Sequence, residues 1–209
     1  LIGAIPVSGA QASPWTISGN DVFIGNTATG GLAIAGGGLV GIDFSLDIGS
    51  KATGTGTVTV DGSDNSGNAS ELGVGGNILV GNAGNGTLTI SNGGLVQAAS
   101  VTVSQAGGAG VINIGAADGD PAAAPGTLDT STATLGANGA LVFNHTSARY
   151  SFAPQITGAG QVIVDNGTTI LAANNTYNGP TTVNGGTLAG GAANAFSVCL
   201  RREPPCIYR

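Results

Sequence analysis

Residues 78–96 read ILVGNAGNGTLTISNGGLV, and this stretch decides the fold of the chain. It holds two short apolar runs, at residues 78–80 and 88–90, and a turn rich in Gly, Asn and Ser follows each run. Neighbouring side chains of an extended strand point to opposite faces, so Leu88 and Ile90 share one face. A unit this short cannot bury its own apolar face, and it therefore has to stack on copies of itself.

Copies of both halves of the unit recur along the chain. The first half recurs as VFIGN, LDIGS, ILVGN and VTVSQ, and the second half as GGLAI, GTVTV, GTLTI and GVINI. The turn residues Gly25, Gly49, Gly81 and Ser104 are separated by 24, 32 and 23 residues. A propeller blade needs about 40–45 residues, so this period is too short for one. It fits one coil of a parallel β-helix, in which length varies only in the turns.

The turn composition supports a folded solenoid. The pairs Asn85–Gly86 and Asn92–Gly93 are predicted to supply the positive φ angles of sharp corners. Gly accounts for 39 of the 209 residues without a Gly-X-Y period, which excludes collagen. Hydrophobic residues make up 41% and recur in register, whereas a disordered chain would have few of them and no period.

The charge of the chain narrows the choice of partners. The formal net charge is −6, and Lys51 and Arg149 are the only basic residues before the C-terminal tail. Nucleic-acid binding needs a basic stripe, so no nucleic-acid partner is expected. A polybasic membrane-surface patch and an apolar run of about 18 residues are absent from the sequence as well.

The chain divides into five parts by composition. Residues 1–12 end in Ala10-Gln11-Ala12, which matches an A-x-A cleavage site, and are read as the remnant of a signal peptide; an ordinary first strand is the alternative. Residues 13–120 form a first β-helix segment with Gly/Asn-rich repeats. Residues 121–130 are a Pro/Ala loop, because proline cannot donate to a ladder. Residues 131–196 form a second β-helix segment, and residues 197–209 are an atypical tail.

The tail differs from everything before it. It holds both cysteines, Cys199 and Cys206, and lacks Gly and Asn. A disulfide between them would close a cap in a secreted protein. A foreign or out-of-frame ending of a longer chain is the interpretation we favour.

The sequence offers no convincing catalytic constellation. His145 is the only histidine, and the sequence around it has no G-x-S-x-G nucleophile elbow, so a structural role is favoured. Asp43 and Asp47 would lie on the same face of a strand, and so would Asp118 and Asp120, but both pairs adjoin turn residues. We therefore expect no catalytic residue, no cofactor and no enzyme activity.

Two possible binding sites each have a plainer interpretation. The acidic stretch 61–68 could hold calcium only if the β-roll nonapeptide repeated, so a solvated loop is favoured and no metal site is expected. A Thr-x-Thr array from Thr55, Thr57, Thr59, Thr87 and Thr89 could bind ice or carbohydrate. Threonine is also an ordinary outward strand residue, and the pattern is lost in the neighbouring copies.

A resemblance appears in the second half of the chain. Residues 175–183, NTYNGPTTV, with GTL at 186–188, are similar to the passenger-associated repeat of type V autotransporters of the AIDA-like group. The preceding ITGAGQVIVDNGTTIL at 156–171 resembles the strands that lead into that repeat. The Gly/Asn-rich copies upstream resemble units of the same passengers, and the resemblance spans roughly residues 21–191.

The resemblance carries implications for fold and function. It implies an all-β fold, a right-handed parallel β-helix with little or no helix, on the bacterial cell surface, in the outer membrane or secreted. It implies a β-helical stalk in adhesion, with host-cell or bacterial surface ligands, protein or glycan, as partners and with self-association through open ends. A C-terminal translocator barrel is expected in the full-length protein and is absent from the printed sequence. The alternative is a β-helical polysaccharide-degrading enzyme or carbohydrate-binding module.

Overall fold

The computed structural model describes residues 5–8, by their backbone, and residues 15–196. Within these ranges the chain forms twenty β-strands and no helix. The strands are β1 (Ile5–Ser8), β2 (Trp15–Ile17), β3 (Val22–Ile24), β4 (Thr29–Ala35), β5 (Leu39–Ile42), β6 (Leu46–Ile48), β7 (Thr55–Asp61), β8 (Glu71–Val80), β9 (Asn85–Ser91), β10 (Leu95–Val103), β11 (Ala109–Gly115), β12 (Thr127–Asp129), β13 (Thr132–Leu135), β14 (Gly139–Asn144), β15 (Tyr150–Phe152), β16 (Gln155–Gly158), β17 (Gln161–Asn166), β18 (Thr168–Leu171), β19 (Thr181–Val183) and β20 (Thr187–Gly190).

The strands stack into three parallel sheets. Sheet 1 has the order β1-β4-β7-β9-β11-β14-β17-β19. Sheet 2 contains nine strands along the path β16-β13-β10-β8-β5-β2, with β3, β6 and β12 beside it, and sheet 3 has the order β15-β18-β20. The chain alternates between sheets, and each strand pairs with the strand one coil away. This is the all-β parallel β-helix that the repeats predict.

The register of the sheets confirms the copies found in the sequence. In sheet 2 the first halves align, since Val22 pairs with Leu46, Leu46 with Ile78 and Ile78 with Val101. In sheet 1 the second halves align in the same way, from β4 through β7 and β9 to β11. A repeat in the sequence therefore corresponds to one coil of the solenoid.

The core consists of columns of aliphatic side chains along the solenoid axis. Because paired residues of a parallel ladder point to the same face, every inward residue lies on the inward residue of the next coil. Three of the fully buried columns are Val58-Leu88-Ile112-Leu141-Val162, Val60-Ile90-Ile114-Phe143-Val164 and Leu46-Ile78-Val101-Ala133-Ile156. Complete burial of one Leu or Ile contributes about 1.5–3 kcal/mol.

One corner of the coil depends on glycine for two reasons. Gly25, Gly49 and Gly81 have φ angles of 70°, 76° and 70°, and Ser104 takes the same place with a φ of 60°. The strand that follows begins with a second column of glycines, Gly30, Gly56, Gly86, Gly110 and Gly139. A Cβ on Gly86 would lie less than 3.0 Å from the backbone of Gly81 in its own corner and from Ile48 O of the coil below. The corner is thus closed by backbone packed directly on backbone.

The predicted role of the Asn-Gly pairs is half correct. Asn92 and Gly93 have φ angles of 52° and 87°, as expected. The prediction is wrong for Asn85 and Gly86, which begin β9 in extended conformation. Gly81 supplies the positive φ of that corner, and Gly86 is required because there is no room for a side chain.

The loop expected at residues 121–130 is shorter than predicted. Thr127–Asp129 form β12, which pairs with Leu95, Val96 and Gln97 of β10. The two prolines precede this strand, so the backbone N–H groups of Gly126 and Thr127 remain free to donate to Ile90 O and Gly94 O. The rest of the segment is an excursion from the coil.

The two predicted β-helix segments lie in the same sheets. Sheet 1 passes from β11 directly to β14, and sheet 2 from β10 to β13. In the N-terminal part, Ile5–Ser8 pair with β4, and the signal-peptide interpretation of residues 1–12 stays a prediction. The tail 197–209, with Cys199 and Cys206, lies outside the described residues. None of the described residues belongs to a helix that is long and apolar enough to cross a membrane.

The glycine column yields a test of the coil packing. Gly86→Ala places a Cβ against the backbone of the coil below, and such overpacking typically costs about 1–3 kcal/mol. We expect the thermal midpoint to fall by about 2–4 °C for each kcal/mol. Gly73→Ala in β8 is the matched control, because its Cβ would meet nothing within 4 Å. Equal midpoints for the two variants would contradict the packing described here.

Candidate functional surfaces

His145 is sealed inside the solenoid. It follows β14, its side chain is 0% exposed, and its Nε2 lies 2.8 Å from Thr169 Oγ1. Phe143 and Tyr150 pack against it, with ring centroids 6.5 and 5.1 Å from the imidazole. Burial lowers the pKa of His145, so the ring is kept neutral. A histidine beside a hydroxyl resembles a base with its nucleophile, but Thr169 is fully buried too and neither group can reach a substrate.

The acidic pairs expected from the sequence do not form facing carboxylates. Asp43 is exposed after β5, whereas Asp47 is buried in β6, where its Oδ2 accepts a 2.9 Å bond from Asn82 Nδ2. Asp118 and Asp120 both lie exposed in the segment after β11. Asp43 and Asp47 thus differ in exposure, and Asp118 and Asp120 lie in one turn, so neither pair has the arrangement of a hydrolase cleft.

A different acidic pair is created by the fold. The Asp165 carboxyl, on the outward face of β17, lies beside that of Asp118. This contact raises the pKa of Asp118 above its ordinary value, because the two carboxyls share a proton and otherwise repel each other. Glycosidases hold their carboxyls about 5–9.5 Å apart around a sugar, so carboxyls in contact leave no room for one. The residues are 47 positions apart in the sequence, and no local pattern could have paired them.

The Asp61 and Asp64 carboxylates of the acidic stretch 61–68 already accept hydrogen bonds from the protein. Asp64 Oδ1 accepts bonds of 2.8 Å from the backbone N–H groups of Ser66 and Asn68, and the bonds from Asn68 lower the pKa of Asp64. Asp61 Oδ1 accepts from Ser91 Oγ and Asn92 Nδ2 at 2.6 and 2.7 Å. No group of three potential metal ligands occurs among the described residues. The stretch is accounted for as a turn that ties two coils together.

The threonine array is limited to two coils. Thr57 pairs with Thr87 and Thr59 with Thr89, so the four side chains form a small outward square on sheet 1. The next coil toward the N-terminus places Gly31 and Ala33 in these columns, and the next toward the C-terminus places Val111 and Asn113. A square of four threonines is too small for a periodic ligand lattice.

Exposed aromatic rings concentrate in the first two coils. Among the described residues, Trp15, Phe23 and Phe44 are the large apolar side chains that are exposed. Phe23 also lines a cavity of about 470 Å³ with Asp21, Asn26 and Thr29, at the end of the solenoid nearest the N-terminus. The described part of the lining supplies an aromatic face and polar groups, but its one carboxyl, on Asp21, accepts a hydrogen bond from the backbone N–H of Ser45.

A side chain takes over the backbone ladder in the NTYNGPTTV stretch. Asn175 is buried; its Oδ1 accepts from the backbone N–H of Ile156 at 2.7 Å, and its Nδ2 donates to Ala195 O at 2.6 Å. One amide thus joins the coil below to the coil above, at a side of β16 on which none of the described strands pairs with it. Tyr177 is buried nearby, and its hydroxyl lies 2.8 Å from Thr181 Oγ1. These residues of the motif are therefore structural.

The buried histidine makes stability depend on pH. The unfolded chain takes up a proton on His145 below the ordinary pKa near 6.5, whereas the folded chain resists it. We expect the free energy of unfolding to fall as the pH drops below about 6.5, by at most about 1.4 kcal/mol per pH unit. His145→Gln, which can still bond to Thr169 Oγ1, should remove this component, as measured by urea unfolding from pH 7.5 to 5. An unchanged slope would refute the assignment.

The bridging role of the Asn175 side chain can be tested by replacing its Nδ2 with an oxygen. Asn175→Asp keeps the acceptor for Ile156 N–H but faces Ala195 O with an oxygen, which leaves a buried group without a donor. We expect a loss of about 1–3 kcal/mol or more in the free energy of unfolding. Asn174→Asp is the control, because Asn174 is exposed and only its Oδ1 contacts Asn194 N–H. Comparable losses in both variants would argue against the bridging role.

Comparisons with known proteins agree with this geometry. Residues 164–189, which contain the Asn175 bridge, match the family described as passenger-associated-transport-repeat. The "Uncharacterized lipoprotein YdeK" of Escherichia coli (strain K12) is 39% identical over 178 residues, which cover 79% of this chain and 13% of that protein. The "Adhesin BmaC autotransporter" of Brucella suis biovar 1 (strain 1330) is 45% identical over 74 residues, 34% of this chain and 2% of the adhesin. No solved structure matches.

The extent of these matches defines what they establish. The chain spans only a small part of either relative, 13% and 2% of their lengths. Within that part, the repeat, the autotransporter relative and the stacked parallel coils agree with one another. The resemblance to autotransporter passenger regions noted in the sequence is thereby confirmed, and residues 164–189 carry a passenger-associated-transport-repeat.

Proposed function

We propose that this passenger region is a surface-exposed or secreted β-helical stalk that acts in adhesion to host cells or other bacteria. The observation that carries the proposal is a passenger repeat built into a stack of parallel coils, whose sheet 1 runs from β1 to β19. One relative bears the name of an adhesin and another that of a lipoprotein, and both names are compatible with a bacterial surface or secreted location.

The architecture suits a stalk for a mechanical reason. Each coil adds about 4.8 Å of length and is held to its neighbours by backbone hydrogen bonds and by continuous aliphatic columns. A ligand that binds along such a rod meets shallow outward columns of Thr, Asn and Gly. Shallow, repeated surfaces favour multivalent contact, in which many weak contacts act together.

A non-catalytic role is part of the proposal. His145 is buried against aromatic rings, and the Asp61 and Asp64 carboxylates are engaged in turns. Asp118 and Asp165 contact each other instead of bracketing a groove. A polysaccharide-degrading enzyme needs accessible groups, and these residues do not supply them. A carbohydrate-binding module is retained as the alternative, because Phe23 and Phe44 are exposed and an aromatic face can stack on a sugar ring.

Adhesion is tested with beads that carry the folded chain. Beads coated with the purified protein should bind epithelial cells or bacteria several-fold better than beads coated with albumin or with the heat-unfolded protein. Binding no better than that of the two controls would contradict the stalk-adhesin proposal. Sedimentation of the free protein in parallel tests the proposed self-association.

The same preparation separates protein from glycan ligands and tests the rival enzyme. Periodate treatment of the target cells destroys sugar rings, so a loss of bead binding would assign a glycan ligand and survival a protein ligand. Phe23→Ser with Phe44→Ser, compared with Thr57→Ser with Thr87→Ser, shows whether the aromatic rings take part. Release of new reducing ends from polysaccharides incubated with the protein would contradict the non-catalytic role.

A further inference from the structure

Six asparagines of the chain are followed directly by glycine: Asn85, Asn92, Asn138, Asn166, Asn178 and Asn184. In such a pair the backbone nitrogen of the glycine can attack the side-chain amide carbon of the asparagine, because glycine has no Cβ to hinder the approach. The attack needs an asparagine side chain that can turn toward its own backbone and a glycine N–H that is not donated elsewhere. The fold decides which pairs meet both conditions.

Five of the six pairs are held by the solenoid. Four of their side-chain amides donate to fixed acceptors at 2.7, 3.2, 3.0 and 2.8 Å: Asn92 to Asp61 Oδ1, Asn138 to Gly107 O, Asn166 to Asn144 Oδ1 and Asn184 to Asp165 Oδ1. In three of these four pairs the glycine N–H donates as well: Gly93 to Pro125 O, Gly139 to Gly136 O and Gly185 to Val164 O. The fifth pair, Asn85 with Gly86, is fixed in β9 between β7 and β11.

The pair Asn178 and Gly179 is the exception. Asn178 is exposed, and neither its side-chain amide nor the N–H of Gly179 has a hydrogen-bond partner among the described residues. The backbone on both sides is fixed, since Asn178 N–H donates to Gly158 O at 2.8 Å and Pro180 O accepts from Val162 N–H at 3.0 Å. A free nucleophile and a free amide thus lie next to each other in an otherwise ordered corner.

Packing explains why glycine follows Asn178. A Cβ on Gly179 would overlap Gly160 O of the coil below, so a side chain has no room there. The missing side chain that lets the coils approach also leaves the Gly179 nitrogen accessible to its neighbour. The reactivity of the pair is therefore a consequence of the coil packing at this corner.

We propose that Asn178 is a site of spontaneous covalent modification, for which the chain supplies the nucleophile and water the second reactant. The Gly179 nitrogen bonds to Asn178 Cγ, the Cγ–Nδ2 bond breaks, and ammonia leaves with the proton of the Gly179 N–H. The product is a five-membered succinimide ring. Water then opens the ring, giving aspartate when it breaks the new bond from Cγ to nitrogen, and isoaspartate when it breaks the original peptide bond.

Isoaspartate would alter the corner inside the passenger repeat. It routes the main chain through Cγ and so adds one methylene between residues 178 and 179, where Gly179 already packs against Gly160 O. Just before this point Tyr177 is buried, and its hydroxyl lies 2.8 Å from Thr181 Oγ1 in β19. A longer main chain cannot keep both ends of the corner in place, so β19 should loosen on β17.

The site is tested by incubating the folded protein at pH 8.5 and 37 °C and following all six pairs by peptide mass spectrometry. Asn178 should be converted about tenfold or more faster than Asn184, which is equally exposed but held at its side chain and at the following N–H. In guanidinium chloride the six pairs should react at similar rates. Equal rates of Asn178 and Asn184 in the folded protein would overturn the proposal. A preference for Asn178 that persists in the unfolded chain would also overturn it, because the local sequence and not the fold would then select the site.

The structural effect is tested on aged protein in which half of Asn178 is converted. A second thermal transition should appear about 2–4 °C or more below the first. Asn178→Asp is the matched control, because it carries the same new charge without the added methylene and should keep a single transition. Asn178→Gln, aged in parallel, should also keep one, because its longer side chain would have to close a larger ring. A single transition despite isoaspartate at residue 178, or a second one in aged Asn178→Gln, would refute the effect on the corner.

Discussion

Direct backbone contact between successive coils is the constraint on which this structure depends. Each strand takes its hydrogen-bond partners from the neighbouring coils, so the coils must approach to ladder distance wherever their strands pair. At the corner before sheet 1 that approach leaves no space for a Cβ, which explains the Gly25-Gly49-Gly81 and Gly56-Gly86-Gly110 columns. The aliphatic columns follow from the same register, because in-register coils place like residues on like residues.

Polar side chains take over where the ladder is interrupted. Asn175 joins Ile156 to Ala195, Asn144 holds the turn at residues 117–120, and Asn166 Nδ2 donates to Asn144 Oδ1 at 3.0 Å. An amide suits these places because it carries a donor and an acceptor, like the peptide group that it replaces. The asparagine content that looks like low complexity in the sequence is thus partly a substitute for missing strand pairs.

A solenoid packed in this way has little room for an enclosed active site. Its inward positions are required for the aliphatic columns. The polar groups that could act in catalysis make structural hydrogen bonds instead, as His145 with Thr169 and Asp61 with Ser91 show. What remains for function is the outside, where the residues of each coil are repeated along the rod. This distribution agrees with a passenger region and favours recognition by extended surfaces over catalysis in a pocket.

The sequence by itself determined the repeat, the parallel β-helix and the faces of its strands, because period and alternation are local properties that survive as register. It also placed the passenger repeat at the residues where it was found. Only the tertiary structure decided that Gly86 is needed for space and Gly81 for its φ angle, that residues 127–129 rejoin the ladder as β12, and that Asp118 meets Asp165. These three outcomes depend on which residues of the neighbouring coils lie above and below a given residue. Because the turns vary in length, the sequence alone does not show which residues those are.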